Sequence, residues 1–120
     1  MVKFIKRRNV IPVDFGEFQL EFVANDESLK RFENSANSFK DRGEEYAERQ
    51  DIKIVEEIKS DLKVAITELF DAEAFDKIYA FAGESTVQAL NIFLEMFFGI
   101  VDEYKAQTET THNTLSKYLS

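Results

Sequence analysis

Residues 52–70 read IKIVEEIKSDLKVAITELF, and the periodicity of this stretch decides the fold class. Ile52, Val55, Ile58, Leu62, Ile66, Leu69 and Phe70 return at intervals that keep one apolar stripe, while Glu56, Glu57, Lys59, Asp61 and Lys63 occupy the other face. The spacing predicts an amphipathic helix of about five turns. Such a helix must lay its stripe against further apolar surface, so the segments on either side are read for partners.

Downstream, the stripe breaks around Asp71 to Glu73, and Phe75, Ile78, Tyr79 and Ala82 then predict a short helix stopped by Gly83 as a left-handed cap. Ser85-Thr86-Val87-Gln88 has the form of a capping box, with Ser85 accepting from the amide of Gln88, and opens a last helix from Thr86 to about Ala106. From Gln107 the chain is β-branched and polar (Thr-Glu-Thr-Thr-His-Asn-Thr). Residues 107–120 are therefore expected to form a flexible polar tail, with Leu115, Tyr118 and Leu119 left to adhere to another surface.

Upstream, Asn25-Asp26-Glu27 supplies acceptors for the free amides of a helix start. Leu29, Phe32, Ala36 and Phe39 follow at helical spacing, and Gly43 is expected to end or interrupt that helix. Before it, Phe18, Leu20 and Phe22 alternate with Gln19 and Glu21, the period of a half-buried strand. Val10, Ile11 and Val13 surround Pro12, which cannot donate to a ladder and confines that run to a sheet edge. Asp14-Phe15-Gly16-Glu17 makes the reversal between the two, with Val2 to Ile5 as a possible third strand. The expected fold is mainly α: a β-hairpin arm over 1–24 and a bundle of about four helices over 25–106, one domain in all, followed by the tail.

Composition narrows the function. With 120 residues, 44% hydrophobic and 32% charged, the chain has the material for one core and no apolar run long enough to cross a bilayer. Cysteine is absent and no apolar signal segment opens the sequence, so a reducing cytoplasm is the expected compartment. The net charge is -8, and positive charge gathers only at Lys3, Lys6, Arg7 and Arg8. That short basic arm on an acidic body makes nucleic-acid binding a minor alternative: a small regulator reading DNA through those four side chains.

The residues of catalysis are not assembled. There is no cysteine nucleophile and no Gly-x-Ser-x-Gly elbow, and the single histidine, His112, falls in the expected tail. The pairs Glu44/Glu45, Glu56/Glu57 and Asp102/Glu103 are adjacent on helices and diverge by about 100°, so they read as solvated faces. Asp71, Glu73 and Asp76 lack the glycine and spacing of a calcium loop and are better placed to complement a helix dipole. The four glycines form no phosphate cradle. Neither enzyme activity, metal nor cofactor is expected.

The sequence instead asks for a partner. Between Ile92 and Val101 every residue is apolar except Glu95 and Gly99, so hydrophobicity wraps most of the helix. Either the other helices enclose it, or part of it meets a second copy or a client. Twelve phenylalanines sharpen the point, because Phe4, Phe15, Phe18, Phe22, Phe32 and Phe39 crowd the small N-terminal half.

Four segments together resemble a known family: VDFGEFQLEF (13–22), NDESLKRF (25–32), LFDAEAFDKIY (69–79) and LNIFLEMF (90–97). Over about residues 10 to 105 the chain is similar to the tail assembly chaperones of long-tailed phages with non-contractile tails, among them tape measure chaperones of phages infecting lactic acid and other Gram-positive bacteria. The resemblance implies a helical protein that coats the tape measure protein in the infected cell, keeps it soluble and extended, recruits tail tube subunits and is absent from the finished virion; self-association is expected separately, from the generous apolar surface. Some members of that family also have a longer, frameshifted form. On this reading the partner-binding residues are Phe93, Met96, Phe97, Ile100 and Tyr104 on the last helix, with Phe18 and Phe22 on the hairpin. The alternative of the same origin is a structural head-tail connector or completion protein of the virion.

Overall fold

A computed structural model describes residues 1–7 and 9–119, with every side chain among them except that of Thr108. The order of elements is β1 (Val10–Asp14), β2 (Gln19–Val23), α1 (Asp26–Arg49), α2 (Ile52–Leu69), α3 (Ala74–Phe81) and α4 (Thr86–Leu119). The molecule is mainly helical, a two-stranded antiparallel hairpin followed by four helices packed together, as the sequence predicts. α1 lies against both α2 and α4, α3 bridges α2 and α4, and β1 leans on α4.

The hairpin runs in register from Val10 opposite Val23 to Asp14 opposite Gln19. Its turn is closed by the Phe15 amide donating to the Phe18 carbonyl at 2.9 Å, and Asp14 Oδ1 accepts from the Gly16 amide at 2.8 Å. Gly16 takes φ 84°, a value that favours glycine. Ile11, Leu20 and Phe22 are buried on one face while Gln19 and Glu21 face water, the alternation read from sequence. Asn9 accepts from the Ala24 amide at 2.7 Å and Phe15 bonds Phe18, so alternation along the ladder turns the backbone groups of Val10, Pro12 and Asp14 to the open edge of β1. Pro12 thus sits where its missing N–H costs no ladder bond.

The third strand expected at Val2 to Ile5 is absent: the sheet has two strands, and residues 1–7 are exposed and irregular. To lie on its own β1 edge the arm would have to reverse within Lys6-Arg7-Arg8, since the ladder already holds Asn9. That segment contains three like charges and neither glycine nor proline. Arg8 itself lies outside the described residues.

The helix starts are those the side chains dictate. Asn25 Oδ1 accepts from the Ser28 amide at 2.8 Å, Asp51 Oδ1 from Lys53 at 3.0 Å, Asp71 Oδ1 from Ala74 at 2.8 Å and Ser85 Oγ from Gln88 at 3.3 Å. Asp71 therefore serves as a cap to α3, and Gly83 at φ 69° follows the end of that helix.

Three expectations are corrected. Gly43 neither ends nor interrupts α1, which runs on to Arg49 and stops at Gln50 in a left-handed conformation. In α2 the buried face begins at Ile54, Ile58 and Leu62, whereas Ile52 is exposed at the first residue of the helix. α4 does not stop at Ala106 but continues helical to Leu119. Extending a helix already nucleated is cheap, and within the extension the hydroxyls of Thr110, Thr111 and Thr114 each donate to the carbonyl four residues back, at 3.2, 3.3 and 3.0 Å.

The core is built largely of phenylalanine. Phe22, Phe32 and Phe93 are wholly buried, with Phe32 5.4 Å from Phe22 and 5.0 Å from Phe93 between ring centroids. Phe39 joins Phe93 at 5.2 Å and Phe70 joins Phe22 at 5.9 Å, which ties the hairpin, α1, the end of α2 and α4 into one cluster. At the surface, Arg42 of α1 reaches Asp61 and Glu57 of α2 at 2.8 and 3.5 Å. These solvated pairs orient the two helices and contribute little to stability. Among the described residues no helix is long and apolar enough to cross a membrane.

Candidate functional site

The residues singled out from sequence divide by depth. Phe22 and Phe93 are fully buried and Met96 and Ile100 nearly so, so these four hold the core together and do not present surface. Phe93 packs against Phe32 and Phe39 of α1, while Met96 and Ile100 lie on the side of α4 that β1 approaches, so the hairpin and the helices together enclose much of this almost wholly apolar segment. Phe97, Tyr104 and Phe18 are half-buried and keep part of each ring available. Phe97 also touches Phe98 at 5.7 Å, and Phe98 is 64% exposed on the outer side of the helix. Glu95 three residues before and Asp102 four residues after Phe98 mark its side of the helix as the outer one, a signal the reading of the run as apolar nearly all round passed over.

The α4 stripe outlasts the bundle. Phe93, Phe97, Ile100 and Tyr104 are followed on the same side of the helix by Thr111, Leu115 and Tyr118, at intervals of three, four and seven residues. On this side Phe93 and Ile100 are buried and Phe97 and Tyr104 half-buried, and beyond Tyr104 the described side chains of the helix are exposed. Leu115, Tyr118 and Leu119 are 55%, 89% and 82% exposed. The extension makes the molecule 61 Å long against 28 and 23 Å across. The polar Thr111 interrupts the stripe after Tyr104, and Leu115 and Tyr118 restore an apolar and uncovered surface on the same side.

Two grooves flank the body. One, of about 540 Å³, opens between α1, α2 and α4, with Tyr46, Val55, Val87, Leu90 and Leu94 supplying an apolar lining. The other, of about 510 Å³, lies between β1 and α4. Val13 and Phe15 form one wall, Ile92 and Met96 the other, and Asp14, Glu95 and Glu103 bring negative charge to it. At the turn end, Phe15 stacks on Phe18 at 4.6 Å and meets the 44% exposed Phe81 edge-on at 5.1 Å. Phe18 therefore belongs to an aromatic cap over α3.

Of the described residues, Thr86 is the only polar one that is buried, and no buried side-chain nitrogen or oxygen lacks a partner. No three His, Cys, Asp or Glu side chains among them gather as metal ligands would. Asp71, considered as an ion ligand, uses its oxygen on the amides of Glu73 and Ala74. His112 is exposed on the α4 extension. The surface offers shape, hydrocarbon and charge, the means of gripping another polypeptide. No family model matches the chain, and no curated protein or solved structure matches it.

Proposed function

We propose that this chain is a tail assembly chaperone of a long, non-contractile phage tail, binding the tape measure protein in the host cytoplasm, keeping it soluble and extended, and assisting tube assembly without entering the mature virion. The observation that carries this reading is the uncovered continuation of the α4 stripe. A tape measure protein of the kind the resemblance implies is long and helical, and its apolar stripes would otherwise find each other. A helix presenting Leu115 and Tyr118 in phase with a buried seam can accept such a stripe side by side, as in helix-in-groove recognition. The charge of -8 then keeps loaded complexes apart in solution. In this role the protein acts by holding, with no chemical step.

The test is co-expression with the tape measure candidate from the same genome. The expected result is that the client becomes soluble and co-purifies with the wild-type chain, and that Leu115→Asp combined with Tyr118→Asp loses both effects while the chaperone stays folded. Unchanged co-purification by that double variant would place the grip elsewhere. Finding the protein in purified virions would replace the chaperone by the structural connector.

A further inference from the structure

We propose that the basic N-terminal arm of one copy docks in the groove between β1 and α4 of a second copy, adding a strand to the open edge of β1. The contact is separate from the α4 extension and stands or falls independently of the chaperone reading.

Three observations converge on it. First, the groove is an unfilled place beside an unpaired strand: the backbone groups of Val10, Pro12 and Asp14 face outward there, and only the proline lacks a donor. Second, its charge is of one sign. Asp14, Glu95 and Glu103 line it, no described lysine or arginine does, and neither glutamate makes an ion pair with a described residue. The arm carries the opposite charge on Lys3, Lys6 and Arg7, equally unpaired among the described residues, and leaves Val2, Phe4 and Ile5 between 81% and 89% exposed.

Third, the spacings agree. Glu95, Gly99 and Glu103 stand in a row along α4, four residues apart, which sets the two carboxylate positions about 12 Å apart. In an extended strand Lys3, Ile5 and Arg7 share one face, with Lys3 and Arg7 about 13 Å apart. Each cation can meet a carboxylate while Ile5 lies over Gly99, where a Cβ would find nothing within 4 Å. A second copy is the occupant because the reversal needed for a chain to fill its own groove falls within Lys6-Arg7-Arg8, a run of like charges with no turn-forming residue. Since arm and groove are different surfaces, the contact is heterologous and propagates from copy to copy until it closes into a ring or continues as a helix.

The test measures the mass of the full-length chain in solution by light scattering coupled to gel filtration, with circular dichroism to confirm folding. At low salt the wild-type mass should be at least twice that of one chain, falling toward the monomer as salt screens the pairs. Lys3→Glu/Arg7→Glu and Glu95→Lys/Glu103→Lys change only exposed residues, and each should be monomeric alone. Mixed in equal amounts they should associate again, because every arm then faces a groove of opposite sign. Gly99→Leu, which fills the groove while favouring the helix, should also give a monomer. A monomeric wild type overturns the proposal, including one whose arm resists proteolysis because it docks in its own groove. So does wild-type mass in either charge-reversed variant, or a mixture that stays monomeric.

Discussion

Gly43 lies inside a 24-residue helix, and a Cβ built on it would stand 3.6 Å from Leu90 Cδ2, an ordinary contact. Its place in the fold does not require glycine, so the residue contributes only the entropy it loses on folding. Gly43→Ala should raise stability by about 1 kcal/mol, seen as a higher urea midpoint at unchanged slope. Phe93 and Phe98 give the opposite contrast from two neighbouring positions in one apolar run. Removing the fully buried Phe93 ring opens a cavity among Phe32 and Phe39, and Phe93→Ala should cost about 3–5 kcal/mol. Phe98→Ala, on the outer face, should change stability by no more than about 0.5 kcal/mol. Phe97→Asp would confuse the two effects, since its ring also packs on Phe32 at 5.4 Å. Residue identity fixed the caps at Asn25 and Ser85 before any coordinates were needed, because a side-chain acceptor before a helix has one local use. Which side of Ile92 to Val101 turned inward was legible only from the charged Glu95 and Asp102, which mark the outer face. When hydrophobicity surrounds a helix, the apolar positions alone carry no phase.

The elements were legible where their chemistry is local: the hairpin with its Pro12 edge and Gly16 turn, the long α2, and the Gly83 stop. They were misread at two ends. α1 carries Gly43 because tertiary packing supports both halves, and α4 runs past Ala106 because adding residues to a helix already formed is cheap. The extension of α4 therefore has helical order without burial, which separates its role in function from its role in stability. Truncation after Ala106 should reduce the helical circular dichroism signal but leave the free energy of unfolding within about 0.5 kcal/mol of wild type, as expected for surface changes. If that free energy instead fell by several times as much, the stripe beyond Tyr104 would have to be packed against something within the folded protein.

At the scale of the molecule, the sequence foretold a surplus of phenylalanine but not its disposition. Five of the twelve rings are buried, Phe15, Phe18, Phe70 and Phe97 are half-buried, and Phe4, Phe81 and Phe98 are exposed, so the surplus is real and smaller than the count implied. The place of the exposed apolar surface was not legible, because it depends on where the bundle ends along α4. A shape 61 Å long and at most 28 Å wide predicts an elongated scattering profile for the monomer, and side-by-side docking of a client helix on the extension should thicken it without lengthening it. The same molecule contains no tryptophan. Ultraviolet emission excited in the pure protein must therefore come chiefly from its tyrosines, and two of the four stand on α4, Tyr104 half-buried where the bundle ends and Tyr118 on the exposed extension. α4 thus carries its own optical reporter: if the proposed client docks there and is itself free of tryptophan, its arrival can be followed by intrinsic fluorescence, with no dye attached and no side chain replaced.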